Sequence, residues 1–401
     1  MTGGPLTGTP HWVSAPVAPV VGHEEASPIA PLRSPGRRRR GCLLPLLLLA
    51  GLVAAGVVWG PALVVRGVAT ATVLEGLDLG VPRPLAPQVA RRSTTVGGVE
   101  VDRYEPLGTT RAAQRPAIVL VPGATPAGRD DQRVIAIATA LARADRHVVV
   151  PELAVYGEDL LVGDLERIVA VTDGLAGSND GVVLAGLSFG GSLALIAADD
   201  PAVRDDVRLV ATFGAYADLA GVVQAAITGV SLIDGERIPW QADPRAQEVV
   251  RRQLLELVDE QARTALEAAL DRELDPDTLP EALRSLHDLL VEGEPDQIMA
   301  RLDATPEVVR DRIAAVSPVR AAPDLAAPLV ALHAVDDPVI PYGELRRLQA
   351  TYPQLRAFTL RTFDHLGLGD DEHGWWVQVR DLIETARFVT VILEADAGTQ
   401  P

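Results

Sequence analysis

The sequence predicts an α/β protein with a mostly parallel central sheet flanked by helices. Three observations carry that prediction. Short runs of apolar, β-branched residues alternate with segments whose apolar residues recur every three or four positions, the pattern of β-α-β-α connectivity. The stretch from Gly181 to Ala198 holds no charged residue, yet its first half is β-branched and its middle contains Gly186, Gly190 and Gly191, as in a buried central strand turning sharply into a buried helix. Hydrophobic residues make up 48% and charged residues 22% of the 401 positions, which excludes a disordered or collagen-like chain.

In chain order, strands are expected at Val96–Tyr104, Ala117–Val121, His147–Pro151, Gly181–Leu187, Arg208–Phe213, Leu329–His333 and Phe358–Thr362. Helices are expected at Asp131–Ala144, Leu161–Leu175 and Gly343–Ala350, with another opening at Gly191. Residues 217–316 break the alternation. Their periodicity reads as helical throughout, Val249, Val250, Leu254, Leu257, Val258, Ala262, Leu266 and Leu270 marking one apolar face. This insertion holds 21 acidic and 10 basic residues, which gives it a solvated acidic outer surface.

The N-terminal region differs from the rest. Residues 1–40 hold seven prolines and end in Arg37, Arg38, Arg39 and Arg40, the composition of a disordered, basic-ended tail. From Gly41 to Val65 no charge appears in 25 residues; as a helix these reach about 37 Å, more than the roughly 30 Å hydrocarbon core. The segment 41–66 is therefore expected to cross a membrane. Five arginines precede it closely and only Arg66 and Arg83 follow nearby, so the tail is expected to be cytoplasmic and the bulk extracytoplasmic. A cleaved signal peptide, with Ala69-Thr70-Ala71 at the cleavage site, is the other reading of this segment and gives a secreted protein.

The expected organisation is a tail (1–40), a membrane span (41–66), a linker (67–95), a first core part (96–216), a helical lid or cap (217–316), a second core part (317–395) and a short C-terminal tail (396–401). The formal net charge of −18, with arginine supplying all 36 basic residues, excludes free nucleic acid as an expected partner. The single cysteine, Cys42, excludes an intrachain disulfide or thiolate cluster. No metal-ligand spacing and no glycine-rich phosphate loop occurs, so neither metal nor cofactor is expected.

The sharpest chemical signal is Gly186-Leu187-Ser188-Phe189-Gly190 at the strand-to-helix junction. A G-x-S-x-G turn in that context lifts a serine hydroxyl out of the sheet, the glycines leaving room for a sharp bend. A serine nucleophile needs a base to take its proton and an acid to hold that base. Asp336-Asp337-Pro338-Val339-Ile340-Pro341 follows one late strand, and Asp364-His365 follows the next.

In this order of serine, aspartate and histidine the sequence resembles the α/β-hydrolase superfamily over roughly residues 96–395. The resemblance implies the α/β-hydrolase fold with Ser188 as nucleophile, Asp337 as acid and His365 as base. Asp336 and the more remote Asp218 are rival acids, and His373 is a reserve base. The resemblance also implies an oxyanion hole formed by the Phe189 N–H and, from the loop after Val121, the Ala124 N–H; Pro122 stands where the family often has histidine.

The function implied is a membrane-anchored serine hydrolase cleaving a small-molecule or lipid-like ester through an acyl-enzyme, with 217–316 as its lid. The same triad serves peptidases, thioesterases, dienelactone hydrolases and acyltransferases. A non-catalytic lipid-binding or scaffold protein is the reading from a different class. Trp375 and Trp376 are expected to open the final helix and to pack the core.

Overall fold

The computed structural model describes residues 70–71, 87–108, 112–154, 162–177, 180–233, 235–291, 295–362 and 375–395. The expected tail, the apolar segment 41–66, Cys42, His365, His373 and the residues from 396 lie outside them. Among the described residues no helix is long and apolar enough to cross a membrane.

An eight-stranded sheet organises the core. Its strands are β1 (Val89–Val96), β2 (Val99–Pro106), β3 (Ala117–Val121), β4 (Val148–Pro151), β5 (Val182–Leu187), β6 (Val207–Phe213), β9 (Leu329–Ala334) and β10 (Arg356–Leu360), in the spatial order β1-β2-β4-β3-β5-β6-β9-β10. β1 pairs antiparallel with β2, and β2 with β4; from β4 to β10 all pairings are parallel. Such strands are buried on both faces. In β3, Ala117, Val119 and Val121 join one apolar layer while Ile118 and Leu120 join the other.

The core helices are α1 (Gln132–Arg143), α2 (Val162–Ala176), α3 (Phe189–Ala197), α10 (Pro318–Ala321), α11 (Gly343–Thr351) and α12 (Trp375–Glu394). Asp131 caps α1 by accepting the Arg133 N–H, a contact that satisfies one orphan donor of the first turn. α2 and α3 contribute to the first apolar layer, α1 and α12 to the second.

Between β6 and α10 lie α4 (Leu219–Thr228), β7 (Val230–Ile233), β8 (Glu236–Pro239), α5 (Pro244–Glu256), α6 (Glu260–Leu270), α7 (Glu281–Val291), α8 (Pro295–Ala304) and α9 (Glu307–Ala315). Leu266, Leu286, Leu289, Ile298, Val309 and Ile313 are among the buried residues of this region's own apolar core.

Three sequence expectations need correction. Val96–Tyr104 is not one strand: the chain turns back at Gly97-Gly98, with φ of +58° and +81°, so β1 begins at Val89 and occupies the C-terminal end of the expected linker. The residues of β1, VARRSTTV, are largely exposed, and such an edge strand carries little apolar alternation to read. The insertion is not helical throughout, because β7 and β8 form an antiparallel hairpin whose second strand, ERIP, is wholly exposed. Trp375 and Trp376 do open α12, but they are 54% and 68% exposed rather than packed in the core.

Candidate active site

The parallel strands bring the candidate residues to one edge of the sheet. Register pairs Val121 with Gly186, Leu187 with Phe213, Phe213 with Leu332 and Ala334 with Leu360. The carboxyl ends of β3, β5, β6, β9 and β10 are thus neighbours, the edge where open α/β sheets bind ligands. Ala124 follows β3, Ser188 follows β5, Asp218 follows β6 and Asp337 follows β9. His365 and His373 come after the last strand and lie outside the described residues.

Ser188 occupies the bend between β5 and α3 with φ +51° and ψ −127°, a conformation that costs an L-residue about 1–3 kcal/mol. Its surroundings hold it there. The Ser188 N–H donates to the Phe213 carbonyl at 2.6 Å, and the Gly191 N–H donates to the Ser188 carbonyl at 2.9 Å. A Cβ at Gly186 would collide with the Gly190 carbonyl oxygen, and one at Gly190 would collide with the carbonyl of Pro122. The bend therefore fits only glycine at both flanks.

The loop after β3 crosses the same bend. A Cβ on Gly123 would lie 3.2 Å from the Ser188 Cβ, and the Thr125 hydroxyl donates to Asp131 at 2.8 Å, tying the loop to the cap of α1. Ala124 sits between these anchors and is exposed. Phe189 is the first residue of α3, so its N–H belongs to the unsatisfied positive end of a helix.

Of the adjacent aspartates after β9, Asp336 is exposed and Asp337 is 1% exposed. The Asp337 Oδ1 accepts N–H bonds from Val339 at 2.8 Å and Ile340 at 2.9 Å. Its Oδ2 is 3.9 Å from the Nε2 of buried His333, which donates to the Ile340 carbonyl at 3.0 Å. His333 thus ties the strand to the turn that carries Asp337. Ile340 and Val339 pack with Phe189 in one small apolar cluster around Tyr216 and Val222, and this cluster joins the serine bend to the aspartate turn.

The insertion touches the same turn. Trp240 Nε1–H donates to the Asp337 carbonyl at 2.7 Å, and the Asp243 N–H donates to the Pro338 carbonyl at 2.8 Å.

Asp218 has a different setting. Its Oδ1 accepts from the Ala220 N–H and the Ser317 hydroxyl, and its Oδ2 accepts from Nε and Nη2 of Arg320 at 3.1 and 2.9 Å. These contacts cap α4 and bind the chain entering the insertion to the chain leaving it. Glu344 of α11 completes the junction, its Oε2 accepting from the N–H groups of Ala217 and Asp218. Burial pushes the Glu344 carboxyl up to about 7, against the opposing pull of Arg347 and of those N–H donors.

At the end of β10, Asp381 of α12 accepts from the N–H groups of Arg361 and Thr362 and from the Thr362 hydroxyl. Burial raises its pKa, but these bonds and Arg380 reverse that effect and leave the carboxyl lowered. Asp381 thereby fixes the backbone three residues before His365. Sequence reading placed His333 in a buried strand without giving it a role, and did not single out Trp240, Glu344 or Asp381; a buried acid within a helix is the signal that Glu344 and Asp381 offer, and Trp240 offers none. Among the described residues no group of His, Cys, Asp and Glu side chains forms a metal site.

A sequence model described as the alpha/beta hydrolase family matches residues 118–392, well over half of the chain. No curated protein matches the sequence. Similar solved structures include Est1E from Butyrivibrio proteoclasticus, at 15% identity, TM-score 0.40 and coverage of 76% of this chain and 99% of that one. A bacterial membrane phospholipase A is similar at 18% identity and TM-score 0.40, over 86% and 98% of the two chains. The haloalkane dehalogenase DbeA from Bradyrhizobium elkani is similar at 14% identity and TM-score 0.42, over 76% and 98%.

Proposed function

The chain belongs to the alpha/beta hydrolase family, and from that premise we propose that it is a membrane-anchored serine hydrolase cleaving an apolar acyl ester through an acyl-enzyme. The observation that carries this reading is the conformation of Ser188. A non-glycine residue at φ +51°, at the carboxyl end of a central parallel strand and crossed by the β3 loop, is a nucleophile held out of the sheet.

In this proposal Ser188 Oγ attacks the ester carbonyl carbon while His365 takes its proton. The N–H groups of Phe189 and Ala124 bind the developing oxyanion, where loss of one donor costs about 2.7–4 kcal/mol of transition-state stabilisation. Collapse of the tetrahedral intermediate expels the alcohol, which receives its proton from the His365 imidazolium. Water then repeats the sequence on the acyl-enzyme and frees the acid. Asp337 orients His365; its burial and its anchored turn favour it over exposed Asp336 and over Asp218, whose oxygens serve the insertion junction.

The insertion contributes the substrate wall. Trp240 and Asp243 couple it to the Asp337 turn, so an acyl chain held beneath it would sit beside the reacting carbonyl. The anchor is segment 41–66, whose uncharged run from Gly41 to Val65 is long enough to support a membrane span.

A panel of p-nitrophenyl esters of increasing chain length, given to the full chain and to Ser188→Ala, tests the reading. Turnover with a chain-length optimum is expected for the wild type, falling by about 10⁶-fold in the variant. Equal turnover by the two proteins would contradict it. Folded wild type that binds a fatty acyl ligand without any turnover would favour the binding-protein reading.

A further inference from the structure

The outer face of α12 is the unusual surface of this chain. Trp375 and Trp376 stack with ring centroids 3.7 Å apart while remaining 54% and 68% exposed. Trp376, Arg380, Ile383 and Arg387 recur every three or four residues and form one stripe; Ile383 is 43% exposed, and the two arginine side chains are 43% and 60% exposed. Solvated helices seldom present stacked tryptophans to water, whereas indoles are enriched at the membrane–water interface.

Thr70, four residues beyond the apolar segment 41–66, is buried, and its hydroxyl lies 3.0 Å from that of Thr390 on α12. The chain emerging from the expected span therefore reaches the domain at α12. The other end of the helix lies at the edge of the sheet that carries Ser188, since Asp381 grips the residues just past β10. From Trp376 to Thr390 the helix runs about 21 Å at 1.5 Å per residue.

We propose that the outer stripe of α12 lies on the bilayer surface, with Trp375 and Trp376 inserted among the lipid headgroups beside the site. The proposal rests on the membrane reading given above. Its driving force is indole insertion rather than charge: Arg380 pairs with Asp381 and Arg387 with Glu384, and a chain of net charge −18 gains nothing overall from anionic lipid. Neutral phosphatidylcholine suffices, and added salt leaves the contact in place. In this arrangement the site faces acyl chains entering from the membrane.

The test uses the full chain with Cys42→Ser and Ile383→Cys, carrying a polarity-sensitive fluorophore on the new thiol, in phosphatidylcholine vesicles containing doxyl-labelled lipid. Val291→Cys, on α7 and 57% exposed, is the reference position. Quenching at 383 several-fold stronger than at 291 is expected. It should fall to the reference level when Trp375→Ala and Trp376→Ala are added, with the chain still resistant to carbonate washing and Ser188 still labelled by a fluorophosphonate.

Equal quenching at the two positions overturns the proposal, as does quenching at 383 that ignores loss of both tryptophans. A blue-shifted emission without lipid quenching assigns the face to a second protein copy instead. A chain stripped by carbonate removes the membrane reading together with this proposal, while fluorophosphonate labelling judges the hydrolase reading independently.

Discussion

Ser188 and Asp337 owe their settings to backbone geometry that a sequence announces unevenly. The glycines at 186 and 190 are visible in the sequence because the bend leaves no space for side chains, and the serine between them was legible for the same reason. Asp337 was legible only as one of an adjacent pair; the N–H groups of Val339 and Ile340 that separate it from exposed Asp336 exist only once the turn has formed. Asp337→Asn should lower kcat by about 10⁴-fold through loss of the correct imidazole tautomer. Asp336→Asn and Asp218→Asn should leave kcat within a few-fold, and steady-state kinetics of the three variants checks this. A collapse of kcat in Asp218→Asn alone would move the acid to the end of β6.

Elements were read from the sequence with an accuracy that follows their burial. β3 is recovered to the residue and β5, β6 and β9 to within one, because strands buried on both faces are apolar runs bounded by turn residues. β1 and β8 were missed because exposed edge strands read like loops. The apolar face running from Val249 to Leu270 is divided between α5 and α6 at Asp259, whose carboxylate accepts the Ala262 N–H; the periodicity alone does not mark that break. The junction of the insertion was invisible for another reason. Asp218, Ser317, Arg320 and Glu344 come together across about a hundred residues of chain, and no local pattern connects them.

Glu344 makes that junction sensitive to pH. Its folded pKa, about 7, lies above the ordinary value of 4.5, so between these two pH values the folded state binds more protons than the unfolded state. The stabilisation is complete below about 4.5 and is lost as pH rises through about 7. The wild-type melting temperature, relative to that of Glu344→Gln, should therefore fall across that interval. A constant difference between the two proteins from pH 4.5 to 7.5 would show that the carboxyl titrates normally.

At the scale of the whole molecule, sheet order and chain order together generate the site. Parallel pairing from β4 to β10 sends the loop after every one of these strands to the same edge. Residues separated by more than two hundred positions, such as Ala124 and Asp337, thereby become neighbours of one serine bend. The convergence of the strand ends was legible because the alternation of strands and helices carries the parallel topology with it. The exposed face of α12 was not: a tryptophan pair has the same sequence signature whether it packs a core or faces outward, and only its exposure in the fold distinguishes the two.

The most direct test of the central claim is peptide mass mapping of the full chain after reaction with a fluorophosphonate. The account predicts a single adduct, on the peptide containing Ser188, formed at a rate that falls with Asp337→Asn. An adduct on another serine, or none on a folded chain that turns over esters, would contradict it.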